Sequence, residues 1–185
     1  MGRRRAGAGV AAAVLAVVVA VGCAPFVEEA PRTSTIRELT VRDVLEAPPE
    51  RAPPALAGDC SMLWPVDGTL SSPFGSRDGR NHEHEGIDVA VAEDTPVRAA
   101  CDGMVTYAGN GLRGYGNVVI VQHAGGLATV YAHNRALEVR VGDPVARGQE
   151  IARSGQTGHA TAPHLHFEVR LGSIARDPLG YLSRR

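Results

Sequence analysis

Seven histidines carry most of the chemistry that this 185-residue sequence offers, and the spacing of several of them indicates a metal site. The run His164–His166 begins and ends with an imidazole, and both rings face the same side if the run is a strand. His84 and Asp88 have four-residue spacing, and Gly86 between them permits a turn or a close backbone approach. Two histidines and a carboxylate form a typical three-ligand set for catalytic zinc, which leaves the fourth position for water.

Other interpretations of these histidines exist. A single His-x-His pair is often structural when it stands alone. The His-Glu-x-x-His helix motif of other zinc proteases is absent, because His82-Glu83 is followed by His84. A cupin-like β-barrel site also uses His-x-His, but Glu168 follows His166 too closely for that pattern. Glu168 has the same parity as the two histidines, so it either orients a ligand or forms an ordinary salt bridge.

The elements that must position these side chains are short β-favouring runs between Gly-containing turns, from about Gly58 to Tyr181. This texture predicts an all-β domain, a small sandwich or barrel of mainly antiparallel strands without a helix of ordinary length. Within it, residues 118–121 are apolar on both faces and predict a central strand. The predicted strands are Ile87–Val91, Met104–Ala108, Val118–His123, Ala128–His133 and Leu165–Leu171.

The segment before this domain has a different composition. Residues 1–22 resemble an export signal, with three arginines followed by an apolar run of twelve residues, Val10–Val21, that is shorter than a membrane span. Val19–Cys23 resembles a bacterial lipobox, which predicts a lipidated Cys23 and a lipid anchor in the cell envelope. A plain signal peptide and an uncleaved anchor remain alternatives. Residues 23–57 are rich in proline and predict a semi-rigid tether.

One short helix is predicted inside the tether. Thr35 and Glu38 have the spacing of a capping box, and Ile36, Leu39 and Val44 fit one apolar stripe.

Charge and cysteine content narrow the functional classes. Nineteen basic and twenty acidic residues give a formal charge of −1, so no basic field for nucleic acid exists. Cys60 and Cys101 remain beyond the signal, and an even pair in an oxidising compartment predicts one disulfide. Two buried free thiols are the alternative.

The segment from Trp64 to Tyr181 resembles the catalytic domain of LytM/lysostaphin-type zinc endopeptidases. Four separated blocks carry the resemblance, which makes it more specific than any single motif. Ala162 is one departure, since glycine is commoner before this proline in the family. The blocks are Phe74–Arg77 with His84-Glu85-Gly86-Ile87-Asp88, Thr129–His133, Val141–Gln149, and Gly155–Gly158 with Pro163–Glu168.

The resemblance implies a function and a role for each matched residue. It implies a zinc endopeptidase that hydrolyses peptide bonds in bacterial peptidoglycan, with a duplicated hybrid motif fold of the barrel-sandwich type over residues 58–185. His84, Asp88 and His166 match the zinc ligands. His133 and His164 match the catalytic pair that flanks a metal-activated water. His82 is then expected at the rim of the site.

Two other functions remain open at this point. Some domains of this fold have lost zinc ligands and activate a separate cell-wall amidase, so the chain would then be the regulator and the amidase its partner. Whether a regulatory protein partner controls the chain itself is a separate question that the sequence leaves open. All five matching positions are intact here, which favours the enzyme. A plain cell-wall binding module has little support, because no separate repeat-type binding domain accompanies the core.

Overall fold

The computed structural model describes residues 38–47, 61–77 and 82–184. The export signal, Cys23, most of the tether and Cys60 lie outside these ranges. The described residues contain one helix, α1 (Val41–Glu46), and two short 3-10 turns, Ala124–Gly126 and Pro178–Gly180. Their eleven strands are β1 (Thr69–Ser72), β2 (Ile87–Ala90), β3 (Pro96–Arg98), β4 (Gly103–Gly109), β5 (Asn117–Gln122), β6 (Leu127–Asn134), β7 (Ala136–Leu137), β8 (Pro144–Val145), β9 (Glu150–Arg153), β10 (His164–Leu171) and β11 (Ile174–Arg176).

The strands form two sheets, and every strand pair is antiparallel. The large sheet has the order β1-β2-β10-β6-β5-β4-β8, with β11 paired to β10. The small sheet has the order β3-β9-β7. This architecture confirms the prediction of an all-β, mainly antiparallel domain.

Strand β5 shows why the large sheet is stable. Val119 and Val121 belong to the larger hydrophobic core, which also contains side chains of the small sheet. Val118 and Ile120 point the other way, into a second core. All four are fully buried, as expected for the predicted central strand. Each valine or isoleucine buried in this way contributes about 1.5–3 kcal/mol relative to an exposed one.

All five predicted strands are present, and each end lies within one residue of its predicted position. The strands of the small sheet, β3, β9 and β7, were not predicted. They are two to four residues long, which is too short to show an alternation of apolar and polar side chains. Hydrogen bonds to neighbouring segments rather than local pattern define them.

The predicted start of the short helix was wrong. Residues 38–40 are not helical, and α1 begins at Val41 after the N-cap Thr40. The capping box is formed by Thr40 and Asp43: the Asp43 amide donates to Thr40 Oγ1 at 3.2 Å, and the Thr40 amide donates to Asp43 Oδ2 at 2.9 Å. This pair satisfies backbone N–H groups at the start of the helix that have no partner inside it. Thr35 lies outside the described residues.

Helix α1 and the β domain belong to one compact unit, and this unit spans residues 37–185. Its Val41 is buried at 4% exposure in the second core, together with Leu112 of the loop before β5. Arg113 of that loop also pairs with Glu38, just before the helix, at 3.1 Å. Residues 38–46, within the predicted tether, therefore pack against the domain.

Two further observations concern the envelope predictions. In the part of the chain that the structure describes, no helix is long and apolar enough to cross a membrane. Cys101 is disulfide-bonded, and because its predicted partner Cys60 lies outside the described residues, their pairing stays a prediction.

Candidate active site

Strand β10 supplies one wall of the site. Its residues alternate as the sequence predicts: Leu165, Phe167 and Val169 enter the larger core, so the even-numbered residues face the opposite side. Antiparallel pairing places His166 opposite Asp88 of β2 on one side. On the other side His166 lies opposite Ala132, the residue before His133 in β6. The sheet therefore brings together three sequence-distant segments.

His84 reaches the same place from the loop before β2. The backbone groups of His84 exchange hydrogen bonds with the turn at residues 73–76, at 2.9 Å from Gly75 N and 2.8 Å to Ser76 O. Gly86 is required here, because a Cβ atom at this position would collide with the carbonyl oxygen of Phe167. The close backbone approach expected of this glycine is thus what sets His84 against β10.

His84, Asp88 and His166 form one cluster whose ligand atoms all lie within 4.8 Å of one another. His84 Nε2 is 3.0 Å from His166 Nδ1 and 3.2 Å from Asp88 Oδ1. His166 Nδ1 is 2.9 Å from the same Oδ1. The carboxylate oxygen only accepts, and each imidazole that donates through its other nitrogen directs a lone pair here, so the convergence requires a proton or a cation among these atoms. The donor set fits zinc, which takes imidazole nitrogen and carboxylate oxygen.

The pKa values of Asp88 and His166 in the cluster are strongly shifted. Burial opposes the ionisation of Asp88, but hydrogen bonds from His166 and His84 outweigh it and hold the pKa of Asp88 well below its usual value. Burial likewise opposes the protonation of His166, but its hydrogen bonds to Asp88 and Glu168 raise its pKa to about 9. The site is therefore built to hold positive charge.

Behind His166 lies a buried polar network. Glu168 is fully buried, and its Oε1 accepts from His166 Nε2 at 3.0 Å and from the Tyr115 hydroxyl at 2.7 Å. Its Oε2 accepts from Arg170 Nε at 2.6 Å. Arg170 also donates to Glu85 at 2.5 Å. Burial alone would raise the pKa of Glu168, but His166 and Arg170 lower it, so Glu168 is ionised.

His133, the second-last residue of β6, has a backbone conformation that is unusual for a residue with a side chain, with φ of 63°. Three segments hold it there. Its amide donates to Tyr115 O at 2.9 Å, and its Nδ1 contacts Thr157 O at 2.8 Å. The next residue, Asn134, donates from Nδ2 to Tyr131 O at 2.7 Å. Strained backbone of this kind is typical of functional positions.

His133 and His164 stand side by side, with ring centroids 4.7 Å apart. His164 Nδ1 contacts Ala162 O at 2.8 Å, and its Nε2 lies 3.7 Å from Asp88 Oδ1. The pair therefore flanks the cluster, as the resemblance implies. Burial lowers the pKa of His133 to about 4, against the opposing effect of the Thr157 carbonyl and with a further contribution from the charge of His166. His133 is neutral at physiological pH.

The four imidazoles differ in which nitrogen they direct to the site. In His84, His133 and His164, Nδ1 contacts a backbone carbonyl, that of Pro73, Thr157 or Ala162. Only His166 is reversed: its Nε2 contacts a side-chain carboxylate and its Nδ1 faces the cluster.

The remaining histidines occupy less central places. His82 and His159 line the open cleft of about 510 Å³ above the cluster, so His82 lies at the rim as expected. His123 is buried at 3% exposure between Asp102 O and the Thr129 hydroxyl, which is a structural role.

The sequence did not identify Tyr115 and Glu85 as residues of the site, or Arg170 as the partner of Glu168. Arg170 was detectable, because it shares the parity of Glu168 on β10. Nothing local marks Tyr115, which enters from the loop between β4 and β5.

The antiparallel β domain with a histidine and carboxylate cluster defines the class of protein, and residues 82–178 match Peptidase family M23. The chain belongs to this family, whose peptidases are zinc-dependent. The lysostaphin-type resemblance of the sequence is confirmed by the catalytic domain of the antimicrobial peptidase lysostaphin from Staphylococcus simulans. That structure is 34% identical with a TM-score of 0.55, over 62% of this chain and 89% of its own.

Two curated relatives have other descriptions. An uncharacterized lipoprotein, YgeR of Escherichia coli (strain K12), is 40% identical over 80% of this chain and 57% of its own length. The murein hydrolase activator NlpD of the same organism is 42% identical over 66% of this chain and 31% of its own. The chain thus spans about half or less of the length of these relatives.

Proposed function

We propose that this protein is a zinc-dependent endopeptidase that hydrolyses peptide bonds in bacterial peptidoglycan. The observation that carries the proposal is the convergence of His84, Asp88 and His166 beside the pair His133 and His164. The first three would hold the ion, and zinc bound there would polarise a peptide carbonyl and make a water molecule more acidic. The lone-pair convergence in the cluster supports this fit.

The histidine pair supplies the proton transfers that hydrolysis needs. Breaking the peptide C–N bond adds a water oxygen to the carbonyl carbon, removes one proton from that water and delivers one to the departing amine. His133 is neutral and donates its Nδ1 proton to Thr157 O, so its Nε2 is free to accept a proton. His164 has the same arrangement through Ala162 O. Two positioned imidazoles, one acting as the base and the other as the acid, can therefore make both proton transfers.

The proposed substrate and location rest on the relatives and on the sequence. The relative described as a murein hydrolase activator points to the cell wall, and the antimicrobial peptidase lysostaphin points to peptide-bond hydrolysis. An open cleft of about 510 Å³ leaves space for a branched peptide. The lipoprotein description of one relative supports export, lipidation at Cys23 and a membrane anchor followed by a tether.

A second candidate function is a non-catalytic activator of a cell-wall amidase. The relative described as a murein hydrolase activator favours it. An activator has no need for the five side chains that meet in the cleft, nor for the strained backbone of His133. The complete cluster and pair therefore favour the enzyme.

One experiment separates the two functions. The purified zinc-loaded chain is incubated with peptidoglycan, and the released fragments are identified by mass spectrometry, with and without chelator. New peptide termini that vanish with chelator or with His133→Ala support the endopeptidase. No cleavage by the chain alone, combined with faster amidase turnover when the chain is added to an amidase, would support the activator instead.

A further inference from the structure

The feature that the proposed chemistry does not use is the fully buried carboxylate of Glu168. A buried charge costs several kcal/mol unless it is paired and hydrogen-bonded. Glu168 meets that requirement with three donors, from His166, Tyr115 and Arg170. The question is what this network does at the wall of the cluster.

We propose that Glu168 is a positioning residue, which fixes His166 with its proton on Nε2 and its Nδ1 lone pair directed at the metal. The inference rests on the metal site of the proposed function. An ionised carboxylate only accepts hydrogen bonds, so the nitrogen that contacts it, 3.0 Å away, must carry the proton. A neutral imidazole has one proton, and Nδ1 is then left as the ligand atom.

His166 needs such a partner more than the other imidazoles of the cleft. His84, His133 and His164 are oriented through Nδ1 by backbone carbonyls. Only His166 presents Nδ1 to the cluster, and its orientation depends on one side chain. Partners of this kind commonly change metal affinity by about 10- to 100-fold when they are removed.

Arg170 and Tyr115 hold the carboxylate itself in place. Arg170 lies two residues further along the same face of β10, and its side chain is 4% exposed. Its Nη1 donates to Ser173 O at 3.0 Å, and its Nη2 reaches Glu85. Tyr115 donates to the same Oε1 that faces His166. Glu168 therefore has little freedom to turn away from the ring.

The competing explanation is an ordinary buried salt bridge between Glu168 and Arg170. A salt bridge of this kind can often be replaced by apolar residues with little loss of stability. That replacement is the discriminating variant, Glu168→Leu with Arg170→Met, because it removes the acceptor without leaving a buried charge. Val169→Ala is the matched control, since Val169 is fully buried on the opposite face of the same strand.

The test measures zinc dissociation constants by competition with a chromogenic chelator, together with melting temperatures of the metal-free proteins. The double variant is expected to bind zinc about 10- to 100-fold more weakly than wild type. Val169→Ala should lower the melting temperature and leave zinc affinity within about twofold. Glu168→Gln keeps an acceptor oxygen and should restore part of the affinity. Zinc affinity within about twofold of wild type in the double variant would overturn the inference.

A second measurement tests the inference even if the double variant does not fold. In the zinc-loaded, 15N-labelled wild-type chain, Nε2 of His166 should carry a proton that is protected from exchange, and zinc on Nε2 instead would overturn the inference. The two proposals fail differently. A wild-type chain that binds no zinc defeats both, whereas zinc binding that is insensitive to Glu168 defeats this one alone.

Discussion

The cleft contains two pairs of histidines that sit in opposite electrostatic surroundings. His166, beside His84, has carboxylates on both ring nitrogens, and its pKa is raised to about 9. His133, beside His164, is oriented by a carbonyl, and its pKa is lowered to about 4. One region therefore attracts a cation, and the other keeps a neutral base next to it.

This difference teaches that partner chemistry, more than burial, separates the proposed ligand from the proposed proton-transfer group. His133 and His166 are equally hidden, at 8% and 9% exposure. Burial lowers both pKa values, yet only His166 has ionised partners strong enough to reverse the effect. The predictions below test whether the two regions have separate roles.

The largest effect is expected for His166→Ala. It removes one of the three proposed ligands and leaves Asp88 and Glu168 without their shared partner. Bound zinc should become undetectable and peptidoglycan cleavage should disappear, because two remaining side chains are too few to hold the ion. The chain should also become less stable, since the free energy of metal binding is coupled to folding. Elemental analysis of protein purified without chelator measures this. His164→Ala, on the same face of β10, is the control and should retain zinc; loss of zinc from both variants would erase the distinction between the regions.

His133→Ala should abolish the proposed cleavage without loss of zinc from the proposed metal site. Loss of a positioned acid or base typically lowers the rate by about 100- to 10,000-fold. Zinc content should match wild type, since the ring contacts Thr157 O and no atom of the cluster within hydrogen-bond distance. Cleavage rate and zinc content are measured on one preparation. If this variant releases zinc as readily as His166→Ala, His133 belongs to the ligand region.

The sequence was sufficient to predict the strands that carry the site, because β2, β5, β6 and β10 alternate clearly or are apolar on both faces. The particular set His84, Asp88 and His166 followed from the family resemblance. Even spacing places His164 and His166 on one face of β10 but does not choose between them, and His84 lies in a loop before β2. The network around Glu168 was not fully predictable. Tyr115 arrives from a loop whose path depends on tertiary contacts, and the start of α1 depends on which threonine finds an acidic partner three residues later.

Zinc affinity should increase with pH, because the raised pKa of His166 keeps a proton on the metal-free cluster at neutral pH. The folded pKa of His166 is about 9, above the ordinary 6.5, so at neutral pH the metal-free chain carries a proton that zinc must displace. Affinity should rise about tenfold per pH unit between about pH 7 and pH 8.5, with about one proton released per ion.

The same shift makes protonation of His166 stabilise the metal-free fold. That contribution is complete below pH 6.5 and is lost as the pH rises through about 9. Calorimetry in buffers of different ionisation enthalpy counts the protons released on zinc binding. Proton release near zero at neutral pH would show that the cluster does not hold a proton when the metal is absent.

The smallest effect is expected for Ser72→Ala. The Ser72 hydroxyl lies 3.3 Å from His84 Nδ1, but the Pro73 carbonyl lies nearer, at 3.0 Å. Because the carbonyl remains, removing the hydroxyl should cost at most about 0.5–1 kcal/mol, a factor of up to about five in zinc affinity. The chelator competition that tests Glu168 measures this directly. A loss as large as that expected at Glu168 would mean that side chains orient both imidazole ligands, and His166 would no longer be the exception in the cleft.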